Sequence, residues 1–257
     1  MKKFFTIASL AVLLLASCNR ERTTGETTGE GSVSILCGVT TEAEVTRAEL
    51  TTQVECTVPA VEDFDLLIEG VSLSYKAEYA NIAEFNESYL YKGKYKATVT
   101  AGDITEEGYN CPTFVGSETF DVYARQHTNV EITATIANAM VKVEVTDNFK
   151  TYFPGGYKLT LTTAAGKEFD VTSQSDLIFI APTSFTVGGT ATKQANQSGS
   201  AAPTVQLPEF KKENIQPRTI YTVKFDVSSV GQATLEITLN EELVESKVID
   251  EELNEFA

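Results

Sequence analysis

Few residues in this chain are placed to do chemistry, and their spacing fits little of it. The sequence holds one histidine, His127, between Gln126 and Thr128. Ser-His-Asp and Cys-His schemes need an imidazole to take the nucleophile's proton, so nearly any such scheme would run through His127. Its place at the start of an alternating run reads instead as a solvated turn residue. The sequence has no Gly-x-Ser-x-Gly elbow, no His-Glu-x-x-His pair and no phosphate-cradling glycine loop. Its 36 acidic residues leave room for the paired carboxylates of glycoside hydrolysis, which keeps a hydrolase as the third and weakest reading. Asp103, Glu106 and Glu107 cluster before Gly108-Tyr109 and offer the oxygen ligands that calcium takes. Their spacing matches no calcium loop, so the solvated turn is the better reading. Cys37, Cys56 and Cys111 have no close ligand spacing, which leaves no metal and no cofactor to expect. Cys37 alternates with Val33 and Ile35, and Cys56 with Val54 and Val58. Both therefore read as core-facing strand residues, with a Cys37–Cys56 bridge as the alternative.

The remaining cysteine sits in a different setting. Lys2 and Lys3 precede an apolar run from Phe4 to Ala16 that only Thr6 and Ser9 interrupt. A bilayer span needs about 20 apolar residues, so the run is too short to cross, and it has the layout of a secretory signal. It ends Leu15-Ala16-Ser17-Cys18, which resembles the bacterial lipobox. That resemblance implies a cut before Cys18 and a lipid on its thiol. Two or three acyl chains on one cysteine hold a protein stably where a single chain does not. The expected localisation is the outer membrane, with the surface and the periplasmic face both open.

Composition narrows the partners. The net charge is −16, and losing residues 1–17 removes two lysines more. Such acidity excludes nucleic acid and anionic membrane surfaces, whose phosphates demand Lys and Arg. With 42% hydrophobic residues, 14 Phe and 10 Tyr, the chain can fill a core.

Residues 18–31 form a lipidated tether of Thr, Gly, Glu and Arg, with nothing to bury. From Ser32 onward the pattern has period two. Val71 to Tyr79, Tyr91 to Val99, Val130 to Ile136, Val141 to Val145, Tyr157 to Leu161, Tyr221 to Val227 and Leu235 to Leu239 all alternate with polar residues. This predicts half-buried antiparallel strands, and many short strands predict an all-β sandwich or barrel. The parity places Tyr91 and Tyr95 in the core, which removes them as sugar-stacking platforms. Two short helices are predicted, at Ala80–Asn86 and at Asp147–Phe153, the second capped by Asp147. The polar stretch 193–203 reads as a loop, and the acidic end from Glu241 to Ala257 as solvated chain. Asn138 breaks the run of apolar residues, which divides the chain into a signal peptide (1–17), a tether (18–31), an N-terminal sandwich (32–137) and a C-terminal one (138–257). Segments 93–102 and 156–166 are weakly alike, a faint sign of duplication.

With those features in hand, Thr46-Arg47-Ala48, the run Tyr95 to Thr100, the run Asn138 to Val145 followed by Phe149 to Phe153, and the runs 221–227 and 233–239 resemble a family of Bacteroides-type lipoproteins. That family is similar to fimbrillin-like adhesins and pilus accessory proteins. The likeness implies two tandem transthyretin-like, Greek-key β-sandwiches and a non-enzymatic role in cell adhesion or a fimbrium. It implies pilus subunits or a host glycan as partners, beside the membrane reached through the lipid. The alternative is an outer-membrane lipoprotein that binds glycan or joins an uptake complex. Fimbrillin precursors are cut after an arginine that follows the first strand, and Arg47 stands at that place. The candidate donor strand carries Leu235, Ile237 and Leu239.

Overall fold

The computed structural model describes residues 29–44, 51–85, 88–173, 176–192, 204–227, 233–239 and 242–249. In the first half the strands are β1 (Glu30–Val39), β2 (Glu42–Glu44), β3 (Thr51–Gln53), β4 (Asp65–Gly70), β5 (Lys76–Tyr79), β6 (Ser88–Tyr91), β7 (Gly93–Ala101), β8 (Gly108–Tyr109), β9 (Phe114–Val122) and β10 (His127–Ile136). In the second half they are β11 (Ala139–Val145), β12 (Tyr157–Thr163), β13 (Glu168–Asp170), β14 (Ile178–Ile180), β15 (Ser184–Thr192), β16 (Thr204–Glu213), β17 (Ile220–Val227), β18 (Ala233–Leu239) and β19 (Glu242–Ile249), with one helix, α1 (Asp147–Tyr152). The fold is all-β.

Strand β10 ties the first half together. Its residues from His127 to Ala134 pair in parallel with β1, and Thr135 and Ile136 pair with Val115 and Phe114 of β9. One strand thus serves two layers, β6-β1-β10 and β10-β9-β7-β4-β5. Val33, Leu90, Val130 and Ile132 from the first layer pack against Leu66, Ile68, Tyr95 and Phe120 from the second. Alternation along each strand places every second side chain in that core.

The second half repeats the plan. β11 pairs in parallel with β17 and antiparallel with β14, as β1 does with β10 and β6. The facing layer runs β13-β12-β15-β16, matching β5-β4-β7-β9. Phe149 and Phe153 join its core from α1 and the residue after it. Two additions break the symmetry. β18 and β19 extend the sheet beyond β17, and β8, a strand of the first half, pairs with β14 at the opposite edge. The duplication is therefore one of topology. The segments that look alike in sequence, β7 and β12, hold different places in the two halves.

Most of the period-two readings hold, and five local readings are corrected. Only Lys76–Tyr79 of the run from Val71 is strand, and Val71 and Leu73 are exposed. The Gly70 and Tyr75 N–H groups donate to the Tyr75 and Leu73 carbonyls, so Ser72 and Ser74 belong to a hairpin bend. Tyr91 ends β6 and Gly93 begins β7, which resets the parity. Tyr95 is buried while Tyr91 is 65% exposed. Of the described part of Ala80–Asn86, residues 80–85, only Ile82–Phe85 coils, as one 3-10 turn. α1 is capped by Thr146, whose Oγ accepts the Phe149 N–H at 3.2 Å, one residue before the expected Asp147. The acidic end is not all solvated chain, because Glu242–Ile249 is β19.

Candidate functional site

β1 is the element on which the processing hypothesis rests. Its inner residue Val33 is fully buried, and Ile35, Cys37 and Val39 pack part-buried against the same core. β6 covers its outer side only from Glu30 to Val33. From Ser34 to Val39 no strand among the described residues pairs with that side, which is where backbone donors and acceptors stand available for pairing. Leu36, 60% exposed, stands on this stretch.

A short ribbon follows. β2 and β3 pair through three positions, Glu42 with Gln53 to Glu44 with Thr51. The Thr41 hydroxyl donates to Gln53 Oε1 at 2.7 Å. Arg47 lies between the two strands in sequence, outside the described residues, and Cys18 is outside them too. A latch holds the ribbon to the second half: Arg218 Nε donates to the Glu42 carbonyl at 2.6 Å, and its guanidinium stands 3.7 Å from the Glu42 carboxylate. The backbone of Arg218 has φ +58°, a left-handed conformation that is costly outside glycine and asparagine.

The two halves meet at a polar seam. Asn138, fully buried, accepts the Thr113 N–H on Oδ1 at 2.6 Å and the Arg218 N–H on its carbonyl at 2.7 Å. Glu107, almost fully buried, accepts the Ala181 N–H at 2.9 Å, and its backbone carbonyl accepts from the Lys167 ammonium. Tyr109 stacks edge-on to Phe169. A groove of about 590 Å³ runs along this seam, between Gln53 and Val54 on one side and Lys142, Phe179 and Thr222 on the other.

The calcium candidates are pulled apart by this arrangement. Glu107 turns into the seam, while the Asp103 carboxylate accepts the Thr105 N–H and hydroxyl at 2.8 and 2.7 Å. Those bonds hold the Asp103 carboxyl below its usual range. Among the described residues no group of three His, Cys, Asp or Glu could hold a metal. Cys37, Cys56 and Cys111 are free thiols, so the alternative Cys37–Cys56 bridge is absent. Burial pushes the Cys37 and Cys56 thiols up, which suits packing rather than nucleophilic attack.

His127 is exposed at the first position of β10. Its Nδ1 lies 2.9 Å from Ser32 Oγ, and its Nε2 lies 2.8 Å from Asn129 Oδ1 and 3.4 Å from Ser34 Oγ. An amide oxygen only accepts, so Nε2 donates to Asn129. The carboxylate that a triad needs behind the imidazole is replaced by an amide and hydroxyls. Leu235, Ile237 and Leu239 lie on β18, between β17 and β19, rather than at the sheet's edge. The polar stretch 193–203, between β15 and β16, falls outside the described residues. Sequence reasoning missed β8, the β2–β3 ribbon and the buried Glu107. Gly108-Tyr109 is too short for a periodic signal, and a lone glutamate in an acidic loop reads as solvated.

The chain is similar to solved structures at low identity. A fimbrial assembly protein from Parabacteroides distasonis is 10% identical, with a TM-score of 0.42 over 86% of this chain and 98% of that one. A candidate cell adhesion protein from Bacteroides eggerthii is 9% identical, with a TM-score of 0.42 over 86% and 94%. A candidate polysaccharide-binding protein from Bacteroides thetaiotaomicron is 9% identical, with a TM-score of 0.35 over 81% and 98%. No curated protein matches the sequence. The model of the family described as a domain of unknown function (DUF4493) matches residues 29–255, from just before β1 to beyond β19, and the chain belongs to that family.

Proposed function

We propose that this protein is a non-enzymatic cell-envelope lipoprotein, held in the outer membrane through Cys18, that serves as a fimbrillin-like adhesin or pilus component. One observation carries the reading. The strand next to the tether, β1, fills the first core, yet half of its outer side pairs with no described strand and a three-pair ribbon follows it. A cut at Arg47 would sever β1 and β2 from the body of the fold. Departure of β1 would leave β10 unpaired beside an apolar groove at Val33, a template for an alternating strand from another subunit. The alternation of Leu235, Ile237 and Leu239 gives β18 the pattern of such a donor, and β19 already lies at the open edge of the second half.

The test is cleavage of the folded protein by an arginine-specific protease, followed by sizing at high concentration. Cleavage at Arg47 with ladders of higher mass is expected. A native chain that resists at Arg47, or a cut chain that stays monomeric, removes the strand-exchange role. Mass spectrometry of the mature N-terminus tests the anchor separately: a diacylated Cys18 is expected, and an unmodified cysteine or another start removes it.

A further inference from the structure

The outer face of the β6-β1-β10 layer is built unlike its counterpart in the second half. In β14-β11-β17 the outward residues Met140, Phe179 and Ile220 are apolar and pack into the core of the first half. That is how this fold makes a face for docking protein. On β6-β1-β10 no described residue packs over the equivalent face, and its residues are amphipathic. Tyr89 is 69% and Tyr91 65% exposed, while Leu90 between them points inward. Tyr89 stands opposite Ser32, and Ser32 opposite His127, so all three share the outer side. The strand rise places the two tyrosines about 7 Å apart along β6. Their backbone is fixed: the Tyr95 hydroxyl donates to the Tyr91 carbonyl at 2.8 Å, and the Lys92 N–H to the Gly29 carbonyl at 2.7 Å. Beside the rings, Ser32, His127, Asn129 and Ser34 form the hydrogen-bonded row described above.

We propose that this face is a glycan-binding platform, with Tyr89 and Tyr91 stacking on sugar rings and Ser32, His127 and Asn129 bonding their hydroxyls. It rests on the reading of the protein as a binding protein of the cell envelope and names the ligand class. A sugar has an apolar C–H face and a rim of hydroxyls that both donate and accept. Exposed tyrosine rings answer the first, and a row of hydroxyl, imidazole and amide groups answers the second. An apolar protein surface would leave the donors and acceptors that this row does not use internally unmet, at a cost the counterpart face avoids by being apolar. Glu30 and Glu131 flank the row in register with Tyr91 and Leu36, and the chain is strongly acidic, which selects a neutral glycan over an anionic one. The strand beneath the tyrosines and the polar row are held before the ligand arrives, so the ordering left for binding is that of the two rings.

The experiment is affinity electrophoresis of the protein uncut at Arg47, with β1 in place, through gels carrying neutral glucans, mannans or galactans, with an anionic uronan gel beside them. Retardation by at least one neutral polysaccharide is expected, weakened about tenfold or more by Tyr89→Ala with Tyr91→Ala. The thermal midpoint should stay put, since both rings are exposed. His127→Ala should weaken retardation while leaving the fold intact. Retardation by no neutral polysaccharide, by the uronan alone, or equally in the double variant overturns the proposal. So does a double variant whose only change is loss of self-association, which would make the face an interface between copies. Acylation of Cys18 and assembly after cleavage at Arg47 are read on the same variants. The envelope reading therefore stands or falls apart from the glycan result.

Discussion

At the scale of single residues, the seam shows what a polar contact contributes when backbone strain opposes it. Arg218 holds φ +58°, which costs about 1–2 kcal/mol for a residue with a Cβ. Its N–H to Asn138 and its guanidinium to the Glu42 carbonyl offset that cost. Arg218→Ala keeps the strain and loses the latch, so it should destabilise by about 1.5–3 kcal/mol, the range for a hydrogen bond involving a charged group. Arg218→Gly loses the same latch but takes the left-handed backbone freely, so its urea midpoint should lie above that of Arg218→Ala. The reverse order would show that the backbone there is unstrained in solution. A second residue-scale prediction concerns pH. Burial, then the neighbouring Tyr79 and Tyr95, pushes Tyr75 up to about 12 from an ordinary value of 10. Above pH 10 the unfolded chain gives up a phenol proton that the folded chain keeps, so unfolding is favoured as pH rises. Stability should be full below pH 10 and decline between 10 and about 12. Burial raises Tyr95, Tyr109 and Tyr221 in the same sense. A phenolate absorbance titration and urea midpoints check this: Tyr75→Phe should flatten the decline, and an unchanged alkaline slope would mean that Tyr75 titrates as an open phenol.

At the scale of elements, parity along strands was the most legible feature of the sequence. Val130 to Ile136, Tyr157 to Leu161 and Tyr221 to Val227 alternate as their polar neighbours require, because each strand packs one face on a core and turns the other outward. Val143→Ala should cost about 1–3 kcal/mol from lost burial and a residual cavity. Lys142→Ala, on the outward side in a surface pair with Glu144, should stay within about 0.5 kcal/mol. Chemical denaturation of both variants tests the register, and equal costs would reject it. What the sequence hid were places where alternation runs on while the chain turns. Val71, Leu73 and Tyr91 keep the period of their neighbours, yet a hairpin bend and a strand break intervene, and neither is marked by proline. The same break hid the tyrosine platform, since Tyr91 is in phase with the buried Tyr95 only if Lys92 is counted as strand. Outer-face burial was equally silent: Met140 is buried because the first half lies over it, a fact no local pattern carries. His127 was rightly read as exposed at a strand start, but its contacts with Ser32 and Ser34 depend on the parallel pairing of β1 with β10, across 95 and 93 residues of sequence.

At the scale of the molecule, the question is whether the proposed division at 137/138 separates two independent folds. The cores argue for division, since one draws almost wholly on residues before Asn138 and the buried members of the other all come after it. The connections argue for a single cooperative unit. β8 leaves the first half to pair with β14, and β14 is buried at all three of its residues, Ile178, Phe179 and Ile180. Met140 and Phe179 belong to the core of the first half although their strands lie in the sheet of the second. Separation would expose Phe179 and Met140, unpair the outer edge of β14, and strip Asn138 Oδ1 and the Glu107 carboxylate of their cross-seam partners. Each unpaired buried polar group costs about 1–3 kcal/mol, and each large apolar side chain returned to water about as much, so together they rival the stability of a small domain. We therefore expect one calorimetric transition for the whole chain, with the calorimetric and van't Hoff enthalpies equal. A chain that begins at Asn138 lacks β8 and the cover over Phe179. It should melt well below the intact protein and self-associate through the bare β14 edge. Asn138→Ala in the full chain should lower the single transition without splitting it, because the seam is shared by both cores. Two separable transitions in the intact protein, or a fragment from Asn138 as stable as the whole, would show that the halves fold alone and that β8 is an ornament on the second sheet.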